Sequence, residues 1–174
     1  MSGWPSGRAR HGGVDQVPVP GVPGRLWLCG KHAVGLDPEE LVAEVGEPAV
    51  VVCLTERFEL ADRYPDYVDW LRMHEGSRTR WFPIPDLHAP PLDDLRPLLD
   101  DLAALLRAGQ QVVLHCAAGI GRAGTVAIAV LMTLGVPREE ASVLVAANRP
   151  MAGPEAGAQR DLLIALESSL RDHG

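Results

Sequence analysis

The stretch QVVLHCAAGIGRAGTVAIAVLMTL, residues 111–134, decides how this chain folds. Its opening, Gln111 to His115, is a short apolar, β-branched run of the kind buried on both faces of a sheet. A glycine-bearing loop follows, Cys116-Ala117-Ala118-Gly119-Ile120-Gly121-Arg122. From Gly124 to Leu134 the residues are apolar nearly all round, which predicts a buried helix. Strand, loop and helix in that order turn several backbone N–H groups toward one point at a helix N-terminus. Such a concavity binds a tetrahedral anion. Gly119 and Gly121 permit the backbone angles it needs, and Arg122 adds a planar fork able to grip two phosphate oxygens.

Cys116 stands in the same field. A cysteine beside backbone donors, a helix N-terminus and an arginine is a reactive one. Inside an anion cradle it is placed for in-line attack on phosphorus, with a phosphocysteine as product. The leaving oxygen then needs a proton. The candidate donor is Asp86, in the proline-rich loop FPIPDLHAP, residues 82–90. A carboxylic acid on a loop over bound substrate serves first as general acid, then as general base for water. His88, Asp93 and Asp94 read as turn or solvated-face residues. Glu59 could brace Arg122 from outside the cradle, although nothing local in the sequence demands it. His115 either fills space at the strand end or tunes the thiol beside it.

Outward from this centre, Arg25 to Gly30, Ala49 to Leu54 and Thr79 to Ile84 read as further strands. Helical spacing covers Pro38 to Val45, with Asp37 as N-cap and Gly46 as the stop, and also Tyr64 to His74. It returns at Leu92 to Leu106, Pro137 to Asn148 and Ala158 to Leu170. Pro97 either kinks the leucine-rich helix or marks its first turn. Strands alternating with helices predict an α/β domain, a central, mainly parallel sheet flanked by helices. Residues 1–24, rich in Gly and Pro, read as a flexible lead-in; residues 25–174 read as one domain.

Composition narrows the function classes. Hydrophobic residues make up 47% of 174, enough for a core without disulfides or zinc. Cys29, Cys53 and Cys116 are too widely spaced for a metal cluster, and Cys29 and Cys53 read as small buried residues. The formal charge of −7 argues against general binding to nucleic acid or an anionic membrane. No secretory leader or membrane-length apolar run is present. These features describe a soluble, cytoplasmic monomer that uses neither metal nor cofactor.

His115, Cys116 and Arg122 form the pattern His-Cys-x5-Arg, and on it the chain resembles the protein tyrosine and dual-specificity phosphatase superfamily. Within it, the chain is most similar to the compact group around the cyclin-dependent-kinase-associated phosphatase and small bacterial relatives. The resemblance spans roughly Arg25 to Leu170. It implies Cys116 as nucleophile, Arg122 as phosphate and transition-state binder, and Asp86 as general acid. It also implies Ala117, Ala118, Gly119, Ile120 and Gly121 as backbone N–H donors, and Gln159 as a residue that places the hydrolytic water. The implied substrate is a phosphorylated protein carrying phosphotyrosine, with phosphoserine or phosphothreonine also open. One position departs. The family usually has Ser or Thr after the arginine, whose hydroxyl stabilises the departing thiolate, and here stands Ala123. Slow breakdown of phosphocysteine is what that change implies, so a phosphoprotein-trapping module with very slow turnover is the alternative.

Gly119-Ile-Gly121-Arg-Ala-Gly124 also fits the dinucleotide fingerprint GxGxxG. That fingerprint wants an acidic residue ending a second strand about 20 residues on, and Glu139 and Glu140 sit instead at a predicted helix start. Sulfur transfer of rhodanese type would leave Asp86 and Arg122 without a comparable task.

Overall fold

The computed structural model describes residues 11–174. Five strands form one sheet: β1 (Val14–Val17), β2 (Arg25–Gly30), β3 (Ala49–Cys53), β4 (Thr79–Trp81) and β5 (Gln111–Cys116). Their spatial order is β1-β2-β5-β3-β4. All neighbours run parallel except β1, which joins the edge of β2 antiparallel with Val17 opposite Leu26. The predicted fold class, α/β with a central, mainly parallel sheet, is therefore the observed one.

The strand sequences explain why helices lie on both faces. Side chains alternate across a strand, and here both sets are apolar. Leu26, Leu28, Val50, Val52, Val112 and Leu114 face one core, which also holds α4 (Leu92–Arg107), α5 (Gly121–Thr133), α6 (Arg138–Asn148) and α7 (Gly157–Asp172). Cys29, Val51, Cys53 and Val113 face the other, covered by α1 (Lys31–Gly35), α2 (Pro38–Val45) and α3 (Pro65–Met73). β5 lies between β2 and β3, so its C-terminal end is enclosed by both neighbours. Ligands of open α/β sheets bind beyond the C-terminal ends of such strands.

Local chemistry sets most boundaries as expected. Asp37 caps α2 by accepting the Glu40 N–H at 3.0 Å, and Gly46 ends it with φ of 99°. Pro97 lies inside α4, which begins at Leu92 and continues through it. Two differences matter. The helix expected from Gly124 begins at Gly121, which puts Arg122 in its first turn. Within the expected lead-in, Val14–Val17 is a strand: pairing to β2 supplies the backbone bonds that an alternation this short does not announce. Residues 1–10 of that expectation lie outside the described residues. No described helix is long and apolar enough to cross a membrane.

Candidate active site

Cys116 is the last residue of β5 and is 3% exposed. The N–H of Ala123, in the first turn of α5, donates to its Sγ at 3.4 Å. The loop between them packs tightly on the end of β2. A Cβ on Gly119, whose φ is +75°, would stand 2.3 Å from the Cys29 carbonyl oxygen. Only glycine satisfies both the angle and the approach. On the other side, a Cβ on Gly124 would meet the Gly153 nitrogen at 2.2 Å. Gly121 and Gly124 are there because the 152–155 segment crosses the start of α5. Among the described residues, no protein acceptor takes the N–H of Ala118, Gly119 or Ile120.

Arg122 is held by two neighbours far away in sequence. Glu59 accepts from Nη1 and Nη2, both at 2.8 Å, and the Ile84 carbonyl accepts from Nη1 at 2.8 Å. A guanidinium has five N–H donors. Glu59 takes the terminal edge of the fork, which leaves the side edge formed by Nε and the second proton of Nη2. Nε is the one buried side-chain donor lacking a partner among the described residues. Such an orphan marks a site built for an acceptor that arrives from outside. The planar fork read from the sequence is thus divided, its tip on Glu59 and its side edge carrying the unpartnered Nε.

Glu59 thus becomes a site residue that the sequence only touched upon. It is itself fixed, since the Glu56 N–H donates to its Oε2 at 2.8 Å and Lys31 donates to its carbonyl at 3.0 Å. Partial burial works against its charge, but Arg122 and the Glu56 N–H together hold the carboxylate below its usual range. The Glu56-x-x-Glu59 capping box was the available signal. Its link to a residue 63 positions away was not legible.

His115 is fully buried, and burial pushes its pKa down to about 4. The ring is therefore neutral at neutral pH. The Tyr67 hydroxyl lies 2.6 Å from Nε2, and Nδ1 lies 3.2 Å from the Cys116 carbonyl. The Cys116 carbonyl can only accept, which assigns the ring proton of the neutral imidazole to Nδ1. Nε2 is then the acceptor of the Tyr67 hydroxyl, which burial keeps protonated. Burial pushes the thiols of Cys29 and Cys53 up to about 12, which leaves both protonated and inert.

Asp86 lies beyond β4, on a loop anchored by the Ile84 N–H donating to Leu54. Its side chain is 68% exposed, and Oδ1 stands 3.6 Å from Arg122 Nη2. The following residue, Leu87, has φ of +64°, a conformation uncommon outside glycine. The structure thus brings Asp86 to the same guanidinium that Cys116's loop presents. Gln159 is buried, with Oε1 accepting the Glu155 N–H at 2.8 Å and Nε2 donating to the His88 carbonyl at 3.4 Å. It stitches the start of α7 to the Asp86 loop. Thr125 donates its hydroxyl to the Gly121 carbonyl at 2.7 Å, so that hydroxyl is committed to the helix.

A family model described as "Polymorphic toxin system, DSP-PTPase phosphatase" matches residues 41–136, a span containing Glu59, Asp86, Cys116 and Arg122. Rat cyclin-dependent kinase inhibitor 3 is 29% identical over 114 residues, 65% of this chain and 52% of the relative. The chain spans about half the length of the curated relative it matches. Among solved structures, Tk-PTP in its active form is 28% identical with a TM-score of 0.68, covering 88% of this chain and 96% of that one. Kinase associated phosphatase, solved with serine at its catalytic cysteine, has a TM-score of 0.77 at 22% identity. It covers 93% of this chain and 97% of its own, and carries the likeness of fold alone.

Proposed function

We propose, from the premise that this chain belongs to the DSP-PTPase phosphatase family, that it hydrolyses phosphomonoesters on proteins, phosphotyrosine first among them. The observation that carries this is the meeting of Cys116, the side edge of Arg122 and Asp86 at one helix N-terminus. Cys116 Sγ attacks phosphorus as the bond to the leaving oxygen breaks, and Asp86 gives that oxygen its proton. Water then attacks the phosphocysteine, its proton goes to the Asp86 carboxylate, and the sulfur departs with the bonding electrons. The N–H groups of the loop and Arg122 stabilise the charge spread over the transferring phosphoryl oxygens. Three free, buried cysteines fit a reducing compartment.

Leaving-group dependence tests this reading. Asp86→Asn should slow hydrolysis of alkyl phosphates, whose poor leaving group needs the proton, by about 10²-fold or more. Nitrophenyl phosphate should be least affected. Equal losses across leaving groups would remove Asp86 from the acid role.

Ala123 favours a slow second step. Its N–H donates to Cys116 Sγ, but the position has no hydroxyl and Thr125 is engaged elsewhere. Wild-type protein should show a burst of leaving group approaching one per site, then a slow steady state. Ala123→Ser should raise the steady rate roughly tenfold, because a hydrogen bond to a charged group is worth about 1.5–3 kcal/mol. A linear time course, unchanged by Ala123→Ser, would show that thiolate departure is not limiting.

A further inference from the structure

Arg149 ends α6 and is 5% exposed, yet no step above uses it. Its guanidinium reaches the outside of the Cys116 loop. Nε donates to the Gly119 carbonyl and Nη2 to the Ala118 carbonyl, both at 2.8 Å. Nη1 donates to Asp15 Oδ2 at 2.8 Å and to the Gly13 carbonyl at 3.3 Å. Asp15 lies on β1, opposite Leu28 of β2, and its side chain is 12% exposed. One arginine therefore joins the N-terminal strand to the loop.

Peptide planarity turns these contacts into a statement about donors. In a trans peptide the C=O and the following N–H point in opposite directions, and the described chain's single cis bond, Glu47–Pro48, is elsewhere. Pinning the Ala118 carbonyl outward points the Gly119 N–H inward, and pinning the Gly119 carbonyl does the same for Ile120. The Ala117 carbonyl accepts from the Lys31 N–H at 2.9 Å, which fixes the Ala118 N–H likewise. None of these three N–H groups has a protein acceptor among the described residues. A loop whose N–H groups converge leaves its donors mutually repelling until an anion arrives, so something must hold it in that shape. A buried guanidinium in turn needs a counter-charge, and Asp15 provides it.

We infer that Arg149, anchored by Asp15, is the positioning residue of the phosphate loop, and that β1 belongs to the phosphate site. This rests on the reading of the loop as a phosphate cradle. Arg149 touches no substrate and acts by fixing which way two peptides face.

Titration of the full chain with inorganic phosphate, followed by amide NMR and calorimetry, tests it alongside nitrophenyl phosphate turnover. In wild type, the Ala118, Gly119 and Ile120 amides should shift on phosphate addition. Arg149→Met should weaken phosphate binding at least tenfold and raise KM, measured well below its melting temperature. Arg149→Lys, able to reach one carbonyl, should recover part of the loss. Asp15→Asn, which keeps the β1 pairing and so guards against a misfolded Met variant, should weaken binding several-fold. A role in stability alone predicts lower melting temperatures with unchanged phosphate affinity in the folded variants. That result in Arg149→Lys and Asp15→Asn would overturn the inference and leave the proposed activity standing. Wild-type protein that neither binds phosphate nor turns over would overturn the cradle reading itself, and the inference with it.

Discussion

Cys116→Ser is expected to abolish turnover, a fall of at least about 10⁴-fold, while a phosphate ester still binds. Loss of a nucleophile that makes the covalent intermediate removes the reaction's route. The cradle, however, is made of other groups. The loop carbonyls keep their outward partners, Arg122 keeps Glu59 and Ile84, and the Ala123 N–H finds a hydroxyl where it met sulfur. Serine is nearly isosteric, so the close contacts of Gly119 with the end of β2 are undisturbed. Binding of a non-hydrolysed phosphotyrosine peptide by calorimetry, beside a turnover assay with trapped intermediate sought by mass spectrometry, checks both halves. Residual turnover within tenfold of wild type would mean that another group attacks phosphorus. Loss of binding together with turnover would mean that the thiol is part of the anion site and not only the attacking atom.

Arg122→Lys is expected to lower kcat by about 10²–10³-fold, the scale on which a positioned donor to a developing oxyanion matters, and to weaken phosphate binding as well. A lysine keeps the positive charge and can keep one contact to Glu59. It cannot present two parallel donors on a side edge while a carboxylate occupies the end. The expected loss follows from that division of the fork: Glu59 on Nη1 and Nη2, the unpartnered Nε turned to other use. Because Arg122 is buried, a melting curve accompanies the kinetics to show that the variant is folded. If a folded Arg122→Lys retains kcat within about threefold, the guanidinium is a structural partner of Glu59 and no more.

Much of this was legible in the residue order. The run Gln111 to His115, the glycine loop and the apolar helix named the central strand and pointed to the proposed anion cradle and nucleophile. Each is a local pattern: burial on both faces, backbone freedom, and a helix start within a dozen residues. Asp86 was legible for a similar reason, as a carboxylate after prolines in a segment that neither strand nor helix could absorb. The start of α5 was misplaced by three residues because Gly121 and Arg122 were assigned to the anion loop, with the helix expected only from Gly124. The real task of Gly121 and Gly124, admitting the 152–155 segment against the helix, depends on a chain segment some thirty residues later.

By itself, then, the sequence determined the sheet's interior and the capped helices, and it singled out Cys116, Arg122 and Asp86 as the proposed reacting set. Tertiary structure alone decided how those residues are held. Glu59 meets Arg122 across 63 positions, and Asp15 meets Arg149 across 134. A charged side chain buried at such a distance leaves no periodicity behind, since its partner is chosen by the packing of whole strands and helices. The same holds for β1, whose four residues become a strand only because the edge of β2 offers them hydrogen-bond partners. Local propensity and spacing fix what a residue can do; the desolvation of charges and the saturation of backbone groups, settled only when distant segments meet, fix what it does.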